Sequence, residues 1–238
     1  MSKTKGLISN ILVFGAGTFL AKLVQFLLLP LYTYYLSSGA YAEGELLNNF
    51  VELTYPLVTL CVYDSVFRFV LSNENKKASV LVNATLVSGT LIGITGIVCF
   101  VISAATSNTR PVLFFSLLLS YSFRQFLAFY ARGANFVVPF ALSGVIDAVS
   151  LAAFSYLMIV QMGMSTDGYV LALVLSHLMS ALYLLFTTGA HRTVSLNCGK
   201  RRSFDKGLCK DMLGYSIPLI GYNTFFGYLR CRRGTYSH

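Results

Sequence analysis

The sequence predicts an all-α, polytopic bundle of transmembrane helices with six complete spans and the beginning of a seventh. Three observations predict it. Of 238 residues, 55% are hydrophobic and 11% charged, whereas a soluble domain carries about 25% charged residues. Mean hydropathy is +0.67, more apolar surface than a soluble fold of this size can hide, because its exterior is large for its volume. The apolar residues also gather into runs that match a bilayer, which takes about 20 helical residues to cross.

The first run, Leu7–Tyr35, is too long for a signal-peptide core and lacks a small-x-small cleavage site, so it reads as a retained first span. The next five are Glu45–Leu71, Ser79–Ser103, Val112–Ala131, Phe136–Met162 and Tyr169–Thr188. A seventh run begins near Met212 and fades into basic residues after Leu229. The chain therefore divides into a six-helix lobe over 1–188, a basic loop over 189–211, and the start of a seventh helix with an atypical tail over 212–238. Pro30, Pro56 and Pro218 fall within apolar stretches, which membrane helices tolerate because neighbours satisfy the freed carbonyls. Gly89 and Gly93 form a GxxxG pattern, and with Gly96, Gly15 and Gly17 they predict close backbone packing.

Orientation follows from the basic residues between spans. Lys3, Lys5, Lys76, Lys77, Arg132, Arg192, Lys200, Arg201, Arg202, Lys206 and Lys210 fall on one side, and Arg110 alone on the other. The positive-inside rule places the richer side, and the N-terminus with it, in the cytoplasm of a cell membrane. The same rule accounts for the formal charge of +9, so nucleic-acid binding, which needs a basic face on a soluble domain, is not expected. The basic loop can lie on anionic headgroups at about 1 kcal/mol per basic residue, or serve as a solvated linker. Cys61 and Cys99 sit inside apolar runs, and Cys198, Cys209 and Cys231 have no metal-site spacing, so neither disulfide nor metal is expected.

Ionisable residues inside the spans carry the functional signal, because each costs about 2.5–3.5 kcal/mol at mid-depth. They are Lys22, Glu52, Asp64, Arg68, Arg124 and Asp147. Asp64 and Arg68 lie four apart on one helical face and are able to pair. One reading makes all six structural ion pairs. The other makes Lys22, Arg68 and Arg124 the cationic lining of a water-filled cavity, with Asp64, Glu52 and Asp147 as ion-coupling groups or counter-charges. An Arg fork and a Lys point charge both suit phosphate, so an amphiphilic anion would place its headgroup inside and leave its tail in lipid. His177 reads as a hydrogen-bonded packing histidine rather than a proton relay. Tyr32, Tyr34, Tyr35 and Tyr41 read as an interfacial aromatic belt, with sugar stacking as the alternative. No GxSxG, HExxH, Walker A or paired-carboxylate pattern occurs, so no enzyme and no cofactor are expected.

The first span reads Gly15-Ala-Gly-Thr-Phe-Leu-Ala-Lys22, then Phe26-Leu-Leu-Leu-Pro-Leu-Tyr-Thr-Tyr-Tyr-Leu36, Tyr41 and Gly44; the second ends Ser65-Val-Phe-Arg-Phe69, and Tyr215–Ile220 reads YSIPLI after the basic loop. Over about residues 5 to 225 this resembles the polysaccharide (O-antigen type) flippases of the MATE-like multidrug/oligosaccharidyl-lipid/polysaccharide exporter superfamily. The resemblance implies a two-lobed transporter of 12 to 14 helices rocking around a cationic cavity, commonly driven by a cation or proton gradient. Its cargo would be an oligosaccharide on polyprenyl pyrophosphate, moved from the inner to the outer leaflet. Lys22 and Arg68 match family positions where a basic residue is typical, whereas Arg124 is assigned to the cavity from its own depth and charge.

Unlike the family pattern, the chain stops during its seventh helix, and Tyr228–His238 does not continue an apolar span. One lobe lacks the two halves of alternating access, so the expectation is no translocation without another copy or a separate second lobe. The competing readings are a drug or cation exporter of the same superfamily, an intramembrane transferase, and a non-functional membrane remnant. Basic residues at depth favour an anionic lipid over a cationic drug, modestly, since three acidic residues match them in number.

Overall fold

The computed structural model describes residues 2–72, 77–190 and 205–235, and every regular element among them is helical. In chain order these are α1 (Ser2–Tyr35), α2 (Ser38–Val58), α3 (Val62–Ser72), α4 (Lys77–Thr106), α5 (Arg110–Gly133), α6 (Val137–Ser155), α7 (Thr166–Thr188) and α8 (Lys206–Thr235). Lys76 and residues 191–204, most of the expected basic loop, lie outside the described residues.

Four helices are long and apolar enough to cross a membrane: α4, α5, α7, and α6 with its continuation to Gln161; α2 and α3 make a fifth span if counted as one. α1 adds a shorter apolar stretch, Phe19–Tyr35. This set fits a multi-pass membrane protein. The outward surfaces are correspondingly greasy: Phe26, Ile97, Phe100 and Phe186 are each more than 60% exposed, an arrangement that water would penalise and lipid tails would not.

Where helices begin and end, the local sequence supplies the reason. Ser37 caps α2, its hydroxyl accepting from the Ala40 amide at 3.2 Å. α5 stops at Asn135, which adopts a left-handed φ of 65°; asparagine tolerates this conformation better than most residues. α7 closes on Gly189, also left-handed. Beyond Ser155, α6 widens into a π-helical stretch, Tyr156–Gln161, before Gly163 turns the chain. α8 starts at Lys206, inside the expected loop, and continues helical through Thr235 across most of the segment expected to leave the helix.

The second predicted span is broken. Pro56 has no amide hydrogen to donate, α2 ends two residues later, and Leu60 and Cys61 take positive φ. The Cys61 amide reaches back to the Pro56 carbonyl at 3.1 Å, and α3 leaves at 59° to α2.

Two apolar clusters hold the bundle. One joins α3, α4, α5, α7 and α8 through Val66, Leu81, Leu127, Leu184 and Met212. The other joins α1, α2, α5, α6 and α7 through Leu28, Val51, Leu118, Leu151 and Val170. Near the second, Arg110 at the start of α5 reaches Glu43 of α2 at 3.2 Å and Asp167 of α7 at 2.8 Å. These side chains are 38–55% exposed, so solvent screens them. Arg110→Ala is expected to cost less than about 1 kcal/mol, read as a small shift in the unfolding midpoint in detergent.

Of the glycines expected to pack backbones, none whose surroundings are described does so: Gly96 meets the ring of Phe115 on α5, and a Cβ at Gly15, Gly89 or Gly93 would touch nothing within 4 Å. The Gly89 and Gly93 side of α4 is instead the floor of an apolar groove walled by Phe115, Phe123 and Phe126. The bulk of those rings keeps the helices apart where the small residues would have let them close.

Candidate functional site

Between α1, α2, α5, α6 and α7 lie two adjoining cavities of about 310 Å³ each. They share Lys22, Gln25, Asn48, Glu52, Leu151 and Leu173. The first extends toward α5, α6 and α7 and takes in Arg124, Asp147 and His177. The second extends toward the start of α2 and takes in Tyr41, Glu45, Asn49 and Tyr169. Each is built across helices, so no local motif encodes either.

At the heart of the first chamber one carboxylate oxygen has two partners. Asp147 Oδ1 of α6 lies 2.9 Å from His177 Nδ1 of α7 and 3.3 Å from Arg124 Nε of α5. Both Asp147 and His177 are 7% exposed. Arg124 also donates to Ser180 Oγ at 3.3 Å, and Ser180 donates to the Ser143 carbonyl at 2.8 Å. His177 stands edge-on to Tyr121 at 5.6 Å, and the Tyr121 hydroxyl accepts from Gln125 at 2.8 Å. A charge at this depth is tolerated only when paired and hydrogen-bonded, and this network provides both. Across the chamber, the Lys22 ammonium donates to Gln25 Oε1 at 3.0 Å.

Four of the six ionisable residues singled out in the sequence thus meet: Lys22, Glu52, Arg124 and Asp147. Their formal charges balance, and the Arg124 charge is spent largely on Asp147. Asp64 and Arg68 are elsewhere. The break at residues 59–61 swings α3 away from the line of α2, so both side chains face α8. Asp64 accepts from Asn223 at 2.9 Å, and Arg68 lies over the Tyr215 ring at 4.3 Å, in place of the pairing their spacing allowed.

Sequence reasoning missed the second chamber. Its signal was a polar stripe on α2: Tyr41, Glu45, Asn48, Asn49 and Glu52 recur at helical spacing and share one face. The tyrosines expected as a belt divide. Tyr34 and Tyr35 are 82% and 51% exposed, but Tyr32 is buried and stacks on Tyr41 at 5.6 Å. Tyr169 meets both edge-on, at 5.1 and 5.8 Å, and donates its hydroxyl hydrogen to Glu45. Gly44 lies directly under the Tyr169 ring, where no side chain would fit.

Among the described residues no group of three or more His, Cys, Asp or Glu side chains is arranged to hold a metal ion. No model of a known protein family, no curated protein and no solved structure matches this chain.

Proposed function

We propose that the chain forms the N-terminal lobe of a two-lobed flippase that moves a polyprenyl-pyrophosphate-linked oligosaccharide across the cytoplasmic membrane. In this reading α1, the α2–α3 pair, α4, α5, α6 and α7 are six spans, α8 opens the second lobe, and the N-terminus is cytoplasmic. The observation that carries it is the cavity that brings Lys22 and Arg124 together between apolar helices. Ionisable residues are retained there against a cost of a few kcal/mol each, and such residues mark substrate paths by default. The lone Arg110 at one end of the bundle and Lys77 and Arg132 toward the other support the orientation.

The pyrophosphate would enter beside Lys22 and take up guanidinium N–H groups of Arg124 not engaged by Asp147, while the prenyl tail stays in lipid. Asp147 and Glu52 keep the empty cavity near neutrality, which lowers the cost of an unoccupied state. Binding must then exchange Asp147 for phosphate at Arg124, a differential contact of the sort that shifts a conformational equilibrium.

The test is binding of undecaprenyl pyrophosphate to the chain in nanodiscs. Lys22→Ala is expected to weaken it at least about tenfold, the scale of one charge-assisted hydrogen bond. Arg68→Ala, outside the cavity, is expected to leave it within about twofold, small on the same scale. Wild-type affinity in Lys22→Ala would overturn the proposed headgroup site.

A further inference from the structure

The second chamber has a chemistry that phosphate binding does not use. Its α2 wall presents Glu45, Asn48, Asn49 and Glu52, and α1 adds Gln25 opposite. Gln25 and Glu45 have partners in Lys22 and Tyr169, whereas a carboxamide facing a cavity between apolar helices is costly unless something in the cavity meets it. Among the described residues, Asn48 and Asn49 are bonded to no other side chain, which leaves their amide groups turned to the chamber.

The inventory of donors and acceptors selects the ligand class. A phosphate only accepts, so Glu45 and Glu52 would repel it and the amide oxygens of the wall would go unused. An organic cation would suit the carboxylates, but it has no use for three amides and it needs open aromatic faces. Here the faces are taken: Tyr32 and Tyr41 stack on one another, and Tyr169 closes on both edge-on. A hydroxyl both donates and accepts, and neighbouring ring hydroxyls present the two roles side by side. Carboxamides answer both roles and carboxylates accept the donated hydrogens. The three packed tyrosines form a stiff wall, and Tyr41, its one half-buried ring, presents an edge rather than a free face to the chamber.

Resting on the lipid-linked cargo proposed above, we infer that the Tyr41–Asn48–Asn49 chamber is a glycan subsite, gripping the first sugars while Lys22 and Arg124 hold the pyrophosphate. The shared wall at Lys22, Gln25, Asn48 and Glu52 is where the two parts of the ligand join. The headgroup therefore lies in a fixed direction, its sugars toward the Arg110 end of the bundle. Selectivity falls on α2, whose amides discriminate against any ligand lacking hydroxyls, because they would be left unpaired by it.

The experiment measures affinity of the full 238-residue chain in nanodiscs for three probes. These are undecaprenyl pyrophosphate bearing a trisaccharide, bare undecaprenyl pyrophosphate, and tetraphenylphosphonium. Wild type is expected to bind the glycosylated lipid about tenfold tighter than the bare one, the scale of two or three net hydrogen bonds. Asn49→Ala, at a residue lining only the second chamber, is expected to bring that difference down to about threefold, the loss of about one net hydrogen bond, and to leave the bare lipid unaffected, which also certifies the fold of the variant. Equal wild-type affinities for the two lipids, or a variant weakened equally toward both, would overturn the glycan subsite and leave the headgroup site standing. Binding of neither lipid by wild type would overturn the flippase reading itself. Tight tetraphenylphosphonium binding that disappears in Glu45→Gln would replace the glycan subsite with a cation site. Should Asn49→Ala not fold, the wild-type comparison of the two lipids decides alone.

Discussion

Asp147→Ala is expected to destabilise the lobe by about 3 kcal/mol, the lower end of the range for breaking a buried ion pair. The loss has two parts. Arg124 loses the carboxylate in contact with it, and His177 loses its only charged hydrogen-bond partner among the described residues. The lower end applies because the Arg124 side chain is 20% exposed and can recruit cavity water. Asp147→Asn should fall between wild type and alanine, since the amide oxygen still accepts from one neighbour. Leucine at both 147 and 124 should recover much of the stability, as apolar replacement of whole buried pairs does. Unfolding midpoints of wild type and the three variants in one detergent check the order. An Asp147→Ala protein as stable as wild type would show that the pair contributes nothing to the fold.

Gly133→Val is expected to cost about 3 kcal/mol, at the top of the usual overpacking range. A Cβ at 133 would lie 3.0 Å from the Phe67 carbonyl oxygen and 3.2 Å from both Phe67 Cα and Val70 Cβ. Two of those three atoms are backbone, so α3 cannot yield by turning a side chain. The only relief is to part α3 from α5, which opens the buried cluster of Val66, Val70 and Leu127. Gly144→Ala is the matched contrast. A Cβ there meets nothing within 4 Å, and alanine gains up to about 1 kcal/mol of helix propensity over glycine. Opposite signs at two helical glycines would separate packing from propensity, whereas equal losses would refute the close α3–α5 approach.

These two residues show how far the sequence could be read. Asp147 announced itself by depth and charge, because lipid makes any buried carboxylate conspicuous. Its partners did not: His177 and Arg124 lie on other helices, and only the packing of α5, α6 and α7 brings them to one oxygen. Gly133 gave no sign, since a glycine near a helix end reads as punctuation. The ends of the first and sixth spans, at Tyr35 and Thr188, were legible from the runs themselves. The break in the second span was not. A proline in an apolar run is compatible with a straight, kinked or broken helix, and tertiary contacts with α8 decide which. The polar stripe on α2 was readable by counting threes and fours, but attention to charge alone passed over its amides.

The break has a mechanical meaning. Residues 59–61 make the second span a pair of rods sharing one joint, the upper rod carrying the amides of the cavity wall. Asn223 of α8 grips the joint, donating to Asp64 at 2.9 Å and approaching Cys61 Sγ at 3.4 Å, while Tyr215, two turns earlier, receives Arg68 from the lower rod. Clasped by α8 at both points and pressed against α5 at Gly133, the lower rod is held between two neighbours, so the joint angle follows how α5 and α8 sit. A shift of either neighbour would therefore be felt at the joint, and through it by the polar wall that α2 presents to the second chamber.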